Sequence, residues 1–201
     1  MRGSGARAII SHPFSFSPDL TILVFENLHK VFLHPVVPSF HLTTLCLQSA
    51  SLPSSLFDSL LLASSTTLIN LFISYPLVMS PSSPLTLIAP RLQHLHLGKS
   101  CDSFLPLIPL CTSLLRLSLG AQETHPLPDL PLSLHTLALD MKDPSFLLAL
   151  STLTIQLDRE SRGMSLKKVE MREDMRDSFT EDSWQALKET FGVEAVFREH
   201  E

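Results

Sequence analysis

Large apolar residues recur along this chain as a short motif, LxxLxL, in which Ile, Val, Met or Phe can take the later positions. It occurs at Leu20-Leu23-Phe25, Leu42-Leu45-Leu47, Leu68-Leu71-Ile73, Leu92-Leu95-Leu97, Leu114-Leu117-Leu119 and Leu134-Leu137-Leu139. Successive starts are 22, 26, 24, 22 and 20 residues apart. Leucine is so common here that one match means little, whereas six in succession at a nearly constant interval define an internal repeat. In an extended chain the second and third apolar residues of each motif point to one side, the first anchors the incoming backbone, and the residues between them face the other way. The pattern therefore predicts short strands that bury Leu45, Leu47, Leu71, Ile73, Leu95, Leu97, Leu117, Leu119, Leu137 and Leu139. Two further matches, Leu150-Leu153-Ile155 and Leu166-Val169-Met171, follow at a shorter interval of 16 residues, and Ile155 with Leu157 is an equally good core pair there.

The segments between motifs must also cover the core. "SLPSSLFDSLLLAS" places Leu52, Leu56, Phe57, Leu60 and Leu61 at helical spacing. "DPSFLLALS" offers Asp143 as an N-cap and Pro144 at the first helical position. In "FLPLIPLC", by contrast, Pro106 and Pro109 should interrupt any regular helix.

A period of about 20 to 29 residues with one short parallel strand and one return segment per unit is that of leucine-rich repeats, which the chain resembles over about residues 20–172. The resemblance implies an α/β fold: an irregular leucine-rich-repeat solenoid with short parallel strands and helical or irregular return segments. The usual repeat has Asn or Cys three positions beyond the last core leucine, and this chain has Ala50, Pro76, Ser100, Gln122 and Lys142 there. That departure suggests the helix-rich intracellular kind of repeat. Near the end of the chain, Ser178 and Glu181 have capping-box spacing, Trp184, Leu187 and Phe191 share one helical face, Gly192 stops the helix, and "VEAVFR" alternates like a strand. This close resembles that of fungal F-box and leucine-rich-repeat proteins. At the other end, "SPDLTILVFENLHKVFL" fits a repeat better than an F-box. The expected organisation is a poorly ordered segment over 1–19, a solenoid over 20–177 and a capping helix and strand over 178–201.

Composition narrows the function classes. A chain of 201 residues that is 44% hydrophobic can bury a real core, and a net charge of −5 supplies no basic field for nucleic acid. Three cysteines without CxxC spacing argue for free, buried thiols in a reducing compartment, cytoplasmic or nuclear. Of the 35 charged residues, 20 fall in the last 44 positions, which sets a compositional break near Asp158 and makes the acidic run from Glu170 to Asp182 read as solvated surface. Arg2 and Arg7, with no acid before Asp19, suit a transit peptide, although a frayed start is the simpler reading. Residues 59–90 carry no Asp, Glu, Lys or Arg, so a membrane anchor over 59–79 is the alternative reading of the chain, but its Ser, Thr, Asn and Pro content and the missing Lys/Arg flanks speak against a span.

Candidate catalytic chemistry is thin. Gly98-Lys99-Ser100 resembles the end of a phosphate-binding loop, but the first glycine of GxxxxGK[ST] is replaced by Gln93, which falls within the predicted strand. His94, His96, Cys101 and Cys111 could be drawn as a zinc set, yet a His-x-His on one strand is more simply an outward-facing pair. There is no GxSxG elbow and no paired-carboxylate motif. The expectation is a protein that is not an enzyme and needs no cofactor or metal. The alternation places Thr44 and Cys46, Asn70 and Phe72, His94 and His96, Arg116 and Ser118, and Thr136 and Ala138 on the exposed face of the sheet, which in a solenoid is concave. Asn70, Phe72, His94, His96, Arg116 and Ser118 form the expected protein-binding cluster. The resemblance implies further that the partner is read on behalf of a ubiquitin ligase, with ligase components as additional partners.

Overall fold

The computed structural model describes residues 20–26, 41–48, 52–74, 84–99, 101–120, 127–140, 152–153, 157, 164–173, 185, 188–190 and 192–198. Its strands are β1 (Ile22–Glu26), β2 (Thr44–Gln48), β3 (Asn70–Ile73), β4 (His94–Leu97), β5 (Arg116–Gly120), β6 (Thr136–Asp140), β7 (Lys168–Arg172) and β8 (Glu194–Arg198). They form one open sheet in chain order, and every neighbouring pair is parallel. A parallel neighbour cannot be reached through a tight turn, so each strand is followed by a return segment. Among the described residues the fold is therefore α/β, with eight stacked parallel strands, few helices and an arrangement compatible with a solenoid.

The register turns the sequence motif into continuous apolar rows. Leu23, Leu45, Leu71, Leu95, Leu117, Leu137 and Val169 are successive partners, and so are Phe25, Leu47, Ile73, Leu97, Leu119, Leu139 and Met171. All fourteen are buried, as are the leading residues Leu42, Leu68, Leu92, Leu114, Leu134 and Leu166. Register is fixed at strand entry by a repeated shared acceptor. The Thr21 carbonyl accepts the N–H groups of Thr43 and Thr44, Thr43 those of Ile69 and Asn70, Ile69 those of Gln93 and His94, and Gln93 those of Leu115 and Arg116. Leu115 and His135 continue the series toward β6 and β7. Return segments of different length thus leave the strands in line. Gln93 stands at this entry position, one residue ahead of β4 rather than within it, and Gly98 is the exit from the strand.

The return segments cover the core by different means. Helix α1 (Ser54–Ala63) buries Leu56, Phe57, Leu60 and Leu61, as the helical spacing predicts, and α2 (Leu85–Ile88) is a single turn. Residues Asp102–Leu110 form a 3₁₀ helix instead of an α-helix. Its three-residue period puts Pro106 and Pro109 on the solvent side together, while Phe104 and Leu107 turn inward. The prolines thus exclude the α-helix without breaking the helical rise.

The match at Leu150-Leu153-Ile155, whose register the sequence leaves open, falls where the described residues Thr152, Leu153 and Leu157 are helical, and β6 pairs directly with β7. Leu153 and Leu157 are both buried. LxxL satisfies a helical period as readily as the entry to a strand, and so misleads in a short apolar run. The expected cap at Asp143 and Pro144, the ladder positions from Ala50 to Lys142, the segment 1–19, and Trp184 with its helical face lie outside the described residues. At the C-terminus, Gly192 has a left-handed φ of 65° and its N–H donates to the Lys188 carbonyl, closing the preceding helix before β8.

No helix of the described residues is long and apolar enough to cross a membrane. Residues 59–74 are divided among the end of α1, a turn and β3, so the proposed 59–79 anchor is not one spanning helix.

Candidate functional site

With one side of the sheet packed on the core, the alternate residues of each strand form two outward rows. Strand register aligns Thr44, Asn70, His94, Arg116, Thr136 and Lys168 in the first row, and Cys46, Phe72, His96, Ser118, Ala138 and Glu170 in the second. All six predicted binding residues therefore share one face on three adjacent strands, and each is half-buried by its neighbours. The side chains lock one another. Asn70 Nδ2 donates to Thr44 Oγ1 at 2.9 Å, His96 Nδ1 shares a hydrogen bond with Ser118 Oγ at 2.9 Å, and the Phe72 and His96 rings lie 6.3 Å apart at 32°. Such a surface is preorganised, so a partner would order few rotamers on binding.

His96 differs from a solvated histidine. Burial lowers its pKa below the usual value, with Asp140 pushing it up and Arg116 pushing it down. The imidazole is therefore mainly neutral at neutral pH.

Arg116 is not a lone cation offered to solvent. Its Nη2 lies 2.5 Å from Glu170 Oε2, while Lys168 Nζ and Arg198 Nη2 approach Glu170 Oε1 at 3.1 and 2.5 Å. Glu170 is only 2% exposed although it belongs to an outward row. The reading of Glu170 as solvated surface is thus corrected: the cations of three strands enclose it. To reach it from β5, Arg116 crosses β6, whose outward residues in the two rows shared with Arg116 and Glu170 are the small Thr136 and Ala138. Burial by itself raises the Glu170 pKa, but Lys168, Arg116 and Arg198 together outweigh it and hold the carboxyl below its ordinary value. Beside this cluster Arg172 Nη1 pairs with Asp140 Oδ1 at 3.2 Å. Composition alone hid the cluster, because the partners lie far apart in sequence. The available signal was the strand pattern Lys168-Val169-Glu170-Met171-Arg172, which sends Lys, Glu and Arg to one side.

The cysteines and histidines do not converge. Cys101 and Cys111 are fully buried behind the sheet, and burial pushes the Cys111 thiol up to about 12, so it stays protonated. Cys46 is the exception to the expected burial: it sits half-exposed in the second outward row. All three are free thiols. Among the described residues no group of three or more His, Cys, Asp or Glu is placed to hold a metal ion. Gly98 has a structural role, since a Cβ there would stand 2.7 Å from Ser74 Cα. No known protein family, curated protein or solved structure matches the chain.

Proposed function

We propose that this chain is a non-enzymatic, leucine-rich-repeat-type interaction module that grips a protein partner on the open face of its sheet. The observation that supports this reading is the alignment of Asn70, Phe72, His94 and His96 on β3 and β4, an aromatic flanked by polar groups whose positions are already fixed. A row of short parallel strands gives such a partner a long run of neighbouring side chains, about 4.8 Å from one strand to the next. The resemblance to fungal F-box and leucine-rich-repeat proteins favours a substrate-reading role for a ubiquitin ligase in the cytoplasm or nucleus.

Proximity labelling in cells with the wild type, Phe72→Ala and His96→Ala tests the module, each variant first being checked for unchanged thermal unfolding. The expected result is loss of one common set of labelled proteins from both variants. Retention of every labelled protein by both folded variants would remove the open face as the binding surface. Ligase subunits among the proteins that remain labelled would support the adaptor role.

A further inference from the structure

The charges of the open face are sorted along the stack. From β2 through β4 the outward positions contain no Lys, Arg, Asp or Glu, and β1 contributes the exposed acid Glu26. At the other end three cations converge on one carboxylate, so Glu170 neutralises one of three positive charges. Arg172 is matched by Asp140, and Glu194, the register partner of Lys168, offsets one more. Among the described outward strand positions of β5 to β8, one positive charge remains in surplus, on a chain whose net charge is −5.

The geometry turns that surplus outward. Glu170 is 2% exposed, while the side chains of Arg116, Lys168 and Arg198 are 36%, 33% and 50% exposed. The carboxylate lies beneath and the cations stand over it. A guanidinium has five N–H donors and an ammonium three, and the bonds to Glu170 use Nη1 and Nη2 of Arg116 and only Nη2 of Arg198. Donors therefore remain for a second oxyanion. The buried carboxylate also offsets the mutual repulsion that would otherwise spread the three cations apart.

Resting on the open-face reading, we infer that Arg116, Lys168 and Arg198, gathered by Glu170, form a receptor for the carboxylate of an acidic segment in the protein partner. Glu170 is the positioning residue and the cations are the binding groups. The apolar site lies beside it at a defined distance. Phe72 on β3 is four strands from Glu170 on β7, where the Arg116 guanidinium also lies, about 20 Å at the usual strand separation. An extended chain covers that span in about six residues. The partner segment accordingly carries an apolar side chain and an Asp or Glu about six positions apart.

The test is selection of a phage-displayed random peptide library on the folded full chain, followed by affinity measurements on an enriched, synthesised peptide. The expected peptides contain an acid at that spacing from an apolar residue. Arg198→Gln and Lys168→Gln should each weaken binding about fivefold, and added salt should weaken it further. Replacing the acid of the peptide by its amide should cause a similar loss with no change to the protein, which keeps the test decisive even where a variant folds poorly. A library that yields no binders or only binders without acids overturns the inference, and so do acidic binders indifferent to both charge variants and to amide replacement. Peptides that Phe72→Ala releases but neither charge variant affects would leave the open-face reading standing and remove this one. Indifference to all three variants removes both. Competition by inorganic phosphate without enrichment of acidic peptides also overturns it, because the ligand would then be a free anion.

Discussion

Gly98 and Gly120 stand where successive strand exits come closest. A Cβ at Gly98 would meet Ser74 Cα at 2.7 Å, and one at Gly120 would meet the Gly98 carbonyl carbon at 2.8 Å. The obstructing atoms are backbone in both cases, so no side chain can swing aside to make room. Gly98→Ala and Gly120→Ala should each cost about 1 to 3 kcal/mol as overpacked substitutions. Urea unfolding would record this as a lower midpoint at unchanged slope, and full tolerance of both changes would mean that the exits stand farther apart. His96 gives a residue-level prediction with a sign. Its pKa is lowered in the folded state by burial, so below about pH 6.5 the unfolded chain takes up the proton more readily than the folded one. The contribution to stability is complete above that pH and is lost as pH falls from there toward the folded pKa. His96→Gln should abolish this part of the slope, and the stability difference between wild type and variant should shift in favour of the variant on acidification. A difference independent of pH between neutral and mildly acidic conditions would count against the depressed imidazole.

Strands were the most legible elements because their signal is local and repeated. Leu95 and Leu97 carry a period of two, Leu92 leads into them, and all three are buried. Leu95→Ala should cost about 2 to 5 kcal/mol, and a loss well under 1 kcal/mol would contradict the register that pairs Leu95 with Leu71 and Leu117. The return segments were less legible, for a physical reason. They need only cover the core, and an α-helix at Ser54–Ala63, a 3₁₀ helix at Asp102–Leu110 and the helical Leu153 and Leu157 all do so with different periods. An LxxL pair in such a segment therefore does not tell strand from helix. The outward face divided in the same way. Its uncharged half, from Thr44 to His96, follows from alternation alone. The Glu170 cluster joins residues 116, 168, 170 and 198, and its closure depends on strand order and on the small side chains of β6. Sequence could assign Arg116 to the face but could not supply its partner.

At the scale of the whole molecule, the described sheet is a chain of nearest-neighbour pairings: among its strands β1 pairs with β2 alone, each inner strand with the two beside it, and β8 with β7 alone. Stability in such a stack is close to a sum of unit and interface contributions, so the terminal units protect the rest from solvent and from other chains. β8 does this for β7 in three ways. Its backbone occupies the hydrogen-bonding edge of β7, Val193 at 1% exposure and the partly buried Ala195 and Phe197 extend the core, and Arg198 supplies one of the three charges over Glu170. Deletion of residues 178–201 removes all three together. It bares a parallel strand edge, exposes apolar side chains around Val169 and Met171, and leaves the carboxylate with two cations. An exposed apolar strand edge is a template for pairing with another chain. The truncated protein should therefore unfold at a lower temperature than the full chain and associate as its concentration rises, as measured by thermal unfolding and size-exclusion chromatography with light scattering. The single change Arg198→Gln separates the contributions, because it removes the charge while keeping the strand. It should stay monomeric with nearly unchanged unfolding, since a half-exposed ion pair contributes about 0 to 1 kcal/mol. A truncated chain that remained monomeric and equally stable would show that β7 can end the stack unaided, and the closing role would then pass from the eighth strand to the seventh.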